Sequence, residues 1–451
     1  MNYVKNLLGV VIFLFPIFSF AQEQVDEQID EKTFSISAQI RPRAEYRNGA
    51  FFPRSDETLP ASFVNNRTRL TMNFKRNDLE MKIAAQHINI WGEDAAINRN
   101  GRVMLNEVYA KLNFGKGLFT QLGRLLLSYD DERILGASDW NQSGRFHDAL
   151  KFGYEDKSNK IHLIFAYNQG VERQSGGNFY SGGQIYKNMQ TLWYNRGGSS
   201  TPFNMSILAM NLGWETGNDF IPAKPDLDQP AIPADPSTSY MQTVGTILSY
   251  ALGNIEPSVS LYYQTGKNQS KRDVSAYMML FKVNFKLIPK LSAFVAYDYL
   301  SGQVVDNEKI TSFNPVFGTN HRYYGTMDYF YSNAYITSNP GFNDIQLGIN
   351  FKPSKNVEVL MNYHCFSVIE DKVKPNNSSE IVNINKKYLG SEVDLQINLT
   401  LMKDVRLMAG YSFMLGTETM DIVKGGDHKL WQDWGWVSLN INPQLFVSKW
   451  K

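Results

Sequence analysis

Between Gln121 and Lys151 the sequence QLGRLLLSYDDERILGASDWNQSGRFHDALK sets Arg124, Asp130, Asp131, Glu132, Arg133, Asp139, Arg145 and Asp148 close together. Guanidinium and carboxylate groups at this density can pair with one another, or their guanidinium forks can bind a planar carboxylate on a passing solute. Fixed charges are costly to bury unless they pair or stay wet. The span is therefore either a salt-bridged surface loop or a feature of a wet interior. Catalysis has less support. The six histidines, at 87, 147, 162, 321, 364 and 428, are scattered, and neither HExxH nor GxSxG occurs. His147 stands beside Arg145 and Asp148 but has no evident nucleophile to serve. The single cysteine, Cys365, excludes an intramolecular disulfide and any CxxC-type metal site. No enzymatic activity, no cofactor and no metal are expected.

Two-period strands must position these charges. Ser391, Val393, Leu395, Ile397, Leu399 and Leu401 share one face, opposed by Glu392, Asp394, Gln396, Asn398 and Thr400. Ile345, Leu347, Ile349 and Phe351 likewise oppose Asp344, Gln346, Asn350 and Lys352, and the same pattern fills 277–287. Strict alternation marks strands with one apolar and one polar face. The segments run about 10–14 residues, longer than the roughly 5–6 usual in soluble sheets and long enough for a tilted bilayer crossing. About eighteen are legible: 34–47, 62–75, 79–91, 103–114, 117–127, 146–154, 160–168, 187–195, 203–214, 239–252, 255–267, 273–287, 291–302, 341–352, 356–368, 387–401, 404–416 and 431–443. Short turns, such as Arg76-Asn77-Asp78 and Met402-Lys403-Asp404, alternate with long polar loops near 48–61, 92–102, 128–145, 169–186, 215–238, 303–340, 371–386 and 417–430. That layout predicts an all-β, antiparallel, up-and-down transmembrane barrel with short periplasmic turns and long extracellular loops.

The ends and the charge balance fit this fold class. Residues 1–21 read as a cleaved signal peptide, with Lys5 ahead of an apolar run and small residues Ser19 and Ala21 at its end. Residues 22–33 form an acidic periplasmic leader, 34–446 a single barrel domain, and 447–451 a C-terminal tail. With Lys5 gone, 44 basic residues balance 44 acidic ones, so net charge points to no partner and nucleic acid is not expected. Distribution is more informative than the total: 14 arginines fall at or before Arg196, and only Arg272, Arg322 and Arg406 follow. Trp91, Trp193, Tyr194, Tyr297, Tyr299, Trp431, Trp434 and Trp436 are expected near strand ends, at headgroup level.

The charged span also carries a resemblance. Gly123-Arg124, followed by SYDDERILGASDW at 128–140 and GRFHDALKF at 144–152, is similar to the signature of the alginate-export family of outer-membrane β-barrels. Arg41-Pro42-Arg43-Ala44-Glu45 and Arg67-Thr68-Arg69-Leu70 agree with it, so that the specific likeness covers 38–155. Leu125 departs from a polar position, and Asp130 stands where a glycine is usual. The resemblance implies a bacterial outer-membrane channel through which an acidic, uronate-type polysaccharide passes.

If the apolar faces meet lipid, the polar faces line a lumen. There the candidates for solute contact are Arg41, Arg43, Arg47, Arg67, Arg69, Lys75, Lys111 and Arg124. Glu45, Glu107, Asp131, Arg133, Asp139, Arg145 and Asp148 are candidates for bracing the wall, and bracing and solute contact both stay open for Arg41, Arg43, Arg67 and Arg69. Neighbouring strands lie about 4.8 Å apart, so the two arginine pairs are expected to form a basic ladder. Expected partners are outer-membrane lipid, an anionic saccharide or small anions, and periplasmic envelope components. Two readings compete with polysaccharide passage: a general small-anion porin, and a plugged structural or adhesion barrel whose loops bind partners. Two loops are candidates for constricting the bore: 215–238, with Pro222, Pro225, Pro230, Pro233 and Pro236, and 303–340, with Tyr323, Tyr324, Tyr329, Phe330 and Tyr331.

Overall fold

A computed structural model describes residues 31–94, 103–170, 172, 180, 182–198, 201–216, 220–221, 232–233, 237–330, 339–375 and 380–451. The expected signal peptide, nearly all of the expected acidic leader, most of the proline-rich 215–238 loop and Tyr331 lie outside the described residues. Eighteen antiparallel strands close into a barrel. They are β1 (Lys32–Asn48), β2 (Ala61–Lys75), β3 (Leu79–Ile90), β4 (Met104–Asn113), β5 (Leu118–Leu125), β6 (His147–Glu155), β7 (Asn159–Tyr167), β8 (Asn188–Arg196) and β9 (Phe203–Thr216). The wall continues through β10 (Ser237–Tyr250), β11 (Ile255–Lys267), β12 (Asp273–Ile288), β13 (Leu291–Leu300), β14 (Phe342–Ser354), β15 (Val357–Ser367), β16 (Tyr388–Met402) and β17 (Val405–Gly416). The last strand, β18, comes in two parts, Gln432–Ile441 and Gln444–Trp450, and both pair with β1. The break falls at Asn442-Pro443, where proline has no N–H to give the ladder. Residues 444–450 therefore belong to the wall, which runs past the 446 boundary expected from sequence.

The alternation settles which face is which. Along β14 the outward residues Ile345 and Leu347 are 50% and 49% exposed, whereas their inward neighbours Asp344 and Gln346 are 0% and 5% exposed. A soluble protein rarely leaves an apolar band of this extent in water; a barrel in hydrocarbon requires one. Lys32 pairs with Trp450 at the short-turn end. The long connections all leave from the other end.

Two of those connections, at 126–146 and 301–330, turn inward and fill the bore at the long-loop end. Leu127, Leu135, Phe313, Phe317, Tyr324 and Phe330 are buried there against inward wall residues Met278, Leu300, Phe342 and Phe366. Each such side chain contributes on the order of 1.5–3 kcal/mol when fully buried, so the inserted segments form a second core inside the barrel. They are stitched to each other by Gly136 N–H to Phe317 O (2.9 Å) and Thr319 N–H to Glu132 O (2.9 Å). A Cβ at Gly136 would lie 2.3 Å from the Thr319 hydroxyl, which is why this crossing needs glycine. Asp130, standing where a glycine is usual, adopts φ 54°, the left-handed region that asparagine and aspartate tolerate best. A short helix, α1 (Glu418–Lys424), caps the long-loop end near β16 and β17.

The filled bore corrects the expected aromatic belt. Trp91 and Trp431 are exposed, but Trp193, Trp434 and Trp436 are buried, because the inserted loops supply an apolar interior at that height.

Candidate functional site

The register between β1 and β2 sets Arg41 directly opposite Arg67, Gln39 opposite Arg69, and Arg43 opposite Asn65. Period-two alternation turns all of these side chains inward. Two guanidiniums side by side repel, and a carboxylate from the inserted loop resolves the conflict. Asp139 accepts from Arg41 Nη1 through Oδ2 (3.0 Å) and from Arg67 Nη1 through Oδ1 (2.9 Å). Partial desolvation works against its charge, but Arg67 and Arg41 outweigh it and hold the Asp139 carboxyl below the usual carboxylate range.

Neighbouring contacts seat the same piece of loop. Arg41 Nε donates to Gln142 Oε1 (3.0 Å), and Gln142 Nε2 donates to Asn65 Oδ1 (2.7 Å). Arg43 Nη1 donates to Trp140 O (2.9 Å) while its guanidinium lies 4.1 Å from the Trp140 ring centroid. The Trp140 ring also stacks on His321 at 4.6 Å. Glu45 takes Arg43 and Arg47, each at 2.8 Å, and accepts from Trp434 Nε1 at 3.2 Å. Among the described residues Arg69 meets only a neutral partner, Gln86 Oε1, at 3.0 and 2.6 Å. On this wall four guanidiniums share two carboxylates, Glu45 and Asp139, and the fifth, Arg69, meets an amide, so a positive excess remains.

The root of the loop is fixed across the bore. Arg133 forks onto Asp298 of β13 at 2.8 and 3.0 Å, reaches Asp131 at 3.2 Å, and lies under the Tyr323 ring at 4.0 Å. Burial disfavours the Arg133 charge, but Asp298 more than offsets it and raises its pKa above the ordinary arginine value. Arg145 donates to the carbonyls of Gly136, Phe317 and Gly318, tying the end of the loop to the second insertion. Its burial lowers its pKa, with Glu132 opposing.

Several sequence-derived candidates lie elsewhere. Arg124 and Asp148 are partners in the β5–β6 register and pair at 2.9 Å, but on the outer face of the wall. There Leu125 turns inward to the second core, and its neighbour Arg124 is turned outward. Neither residue lines the lumen. Lys75 is at the short-turn rim, 3.8 Å from Glu80. Lys111 lies over the Phe119 ring at 4.2 Å, and Glu107 pairs with Lys82 at 2.6 Å. Sequence reasoning placed Asp344, Glu392 and Asp394 on lumen faces without singling them out. The structure buries them in one acidic strip with Asp298, where His364 bridges Asp344 (2.8 Å) and Asp394 (3.4 Å). The second insertion docks there, Met327 N–H to Glu392 Oε1 (2.8 Å) and Thr326 Oγ1 to Asp394 Oδ1 (2.5 Å). Only the coincidence of several inward acids on adjacent strands signalled this strip. Apart from it, Asp421, Asp427 and His428 come together beside α1, where His428 Nδ1 and N–H both bond Asp421.

This geometry can be compared with known proteins. A family model described as alginate export matches the second half of the barrel. Residues 248–419 match the alginate-export family. The match runs from the end of β10 to the start of α1, and so takes in the second insertion and the acidic strip, whereas the motif likeness at 38–155 lies before it. No curated protein matches the chain in sequence. Similar solved structures include Acinetobacter baumannii OccAB1 (TM-score 0.60, 10% identity, covering 92% of this chain and 97% of that one). Pseudomonas aeruginosa OccK11 (OpdR) gives a TM-score of 0.58 at 8% identity, covering 92% and 96%. Pseudomonas aeruginosa OccK9 (OpdG) gives 0.57 at 11% identity, covering 91% and 98%. These likenesses are of fold, over nearly the whole of each chain. The family match and these outer-membrane neighbours, with the outward apolar band, place the alginate-export-like chain in the bacterial outer membrane as an integral barrel.

Proposed function

We propose that the protein is a passive outer-membrane channel for anionic solutes, with a uronate-type polysaccharide or oligosaccharide as its passenger. The observation that carries this reading is the inner wall of β1 and β2, where four guanidiniums share two carboxylates and a fifth, Arg69, meets only an amide among the described residues. A low-dielectric wall around a wet bore focuses that positive field and raises the local concentration of anions. Among the described residues Arg69 is held by the neutral Gln86 amide, so no carboxylate of the wall neutralises it before a passing one does. The alginate-export match over 248–419 agrees with an acidic saccharide. Transport then consists of diffusion through the bore, with no bond made or broken in the solute. Outer-membrane lipid surrounds the barrel, and periplasmic envelope components would deliver or receive the passenger.

A second reading has its own observation. The packing of Phe313, Phe317, Tyr324 and Phe330 inside the bore favours a plugged barrel whose loops bind partners. Planar-bilayer recordings of the full chain in a salt gradient separate the two. A channel gives discrete currents with a reversal potential on the anion side, and a plugged barrel gives no current at any voltage. Discrete currents without anion preference would leave a general porin and remove the uronate.

A further inference from the structure

Within the first inserted loop, residues 138–144 form a finger of their own. Its base is closed by Arg145 N–H to Ala137 O (2.7 Å). The two ends turn through left-handed residues, Ser138 (φ 50°) and Gly144 (φ 68°). Everything before the finger is anchored, by Arg133 on Asp298 and by the stitching to the second insertion. The finger itself is held by polar contacts of Asp139, Trp140, Gln142 and Ser143 with the wall, by Arg43 over the Trp140 ring, and by that ring packed on Trp436 (4.7 Å) and His321 (4.6 Å). Exposure within the central ion pairs is lopsided: the Asp139 side chain is 63% exposed to the lumen, while Arg67 beneath it is 1% exposed.

We propose that the finger is a latch opened by exchange of carboxylates, the solute's acid group taking the place of Asp139 between Arg41 and Arg67. This rests on the reading of the protein as an anion channel. Asp139 occupies the seat that a uronate carboxylate fits, and its open side lets a second carboxylate approach before the first departs. Lifting Asp139 with nothing in its place leaves two buried guanidiniums without a counter-charge, which is strongly unfavourable. A neutral sugar cannot compensate for that loss and an acidic one can, so release is coupled to the passenger's charge. Ser138 and Gly144 take up the backbone rotation, and the anchored root keeps the rest of the insertion in place.

The test uses the full-length protein in vesicles with Cys365→Ser and Gln142→Cys, since the Gln142 side chain is buried between the finger and the wall. A neutral methanethiosulfonate reagent reports its exposure. Galacturonate trimer is expected to raise the labelling rate about tenfold, the effect of shifting the closed–open balance by ~1.4 kcal/mol. Maltotriose should leave the rate unchanged. Asp139→Asn should raise the basal rate and abolish the response to the trimer. If Gln142→Cys does not fold, a nitroxide on Ser143→Cys reads the same motion as increased mobility. A trimer that alters channel current without changing labelling or mobility overturns the latch and leaves the anion channel standing. A trimer that alters neither current nor labelling overturns both, and an equal response to maltotriose overturns the exchange of carboxylates.

Discussion

Arg41 and Arg67 face each other across the β1–β2 ladder, and one carboxylate, Asp139, bonds both at 3.0 and 2.9 Å. This relationship makes the buried Arg41 and Arg67 a structural seat for the inserted loop. It also separates residues whose removal will disturb the inserted loop from those that only shape the field in the bore.

Arg69 belongs to the second group, because among the described residues it bonds the Gln86 amide and pairs with no carboxylate. Arg69→Glu is expected to reduce anion preference while the barrel still assembles. Reversal potentials in a potassium chloride gradient measure it, and an unchanged potential would make Arg69 a wall brace.

Arg124 is expected to be silent in the same recording. It lies on the outer face with Asp148, and an exposed pair of this kind contributes about 0–1 kcal/mol. A change in selectivity on Arg124→Ala would contradict the outward placement.

The Arg133–Asp298 pair is buried on both sides. Asp298→Ala leaves the buried Arg133 guanidinium to the more exposed Asp131 alone and is expected to cost up to about 3–5 kcal/mol. Urea titration of folding into vesicles reads this loss. Replacing both partners with apolar residues, Arg133→Met with Asp298→Leu, should recover most of it.

Acid should loosen the finger only late. The Asp139 pKa is depressed in the folded protein, so its stabilisation is complete above the unfolded value near ~3.9 and disappears as pH falls through the lower folded value. Labelling at position 142 is therefore expected to be constant from neutral pH down to about pH 4, and to rise below it in wild type but not in Asp139→Asn. A rise already at pH 6 would show that another group controls the finger.

The outward band provides a test of the membrane placement. Ile345→Arg puts a charge among Leu347, Ile349 and Phe351 and is expected to destabilise folding in vesicles by about 2–4 kcal/mol if it lies near the midplane. No loss of stability would mean that this face does not meet hydrocarbon.

The wall is written in the local pattern of residues. Strand number, the alternation of Ile345 with Asp344, and the facing of Arg41, Arg43, Arg67 and Arg69 follow from a two-residue period, which needs only local information. Tertiary structure decided what fills the bore. At the long-loop end the inward positions carry Leu125, Phe342, Phe366, Trp434 and Trp436, reversing the expected polarity, because two loops distant in sequence pack against them. That reversal turned Arg124 outward and took three tryptophans from the membrane rim. The partner of Arg133 is 165 positions away, and that of Arg67 is 72. No local period records such pairings, since they are chosen by which side chains meet when the closed cylinder brings its far walls within reach of one loop.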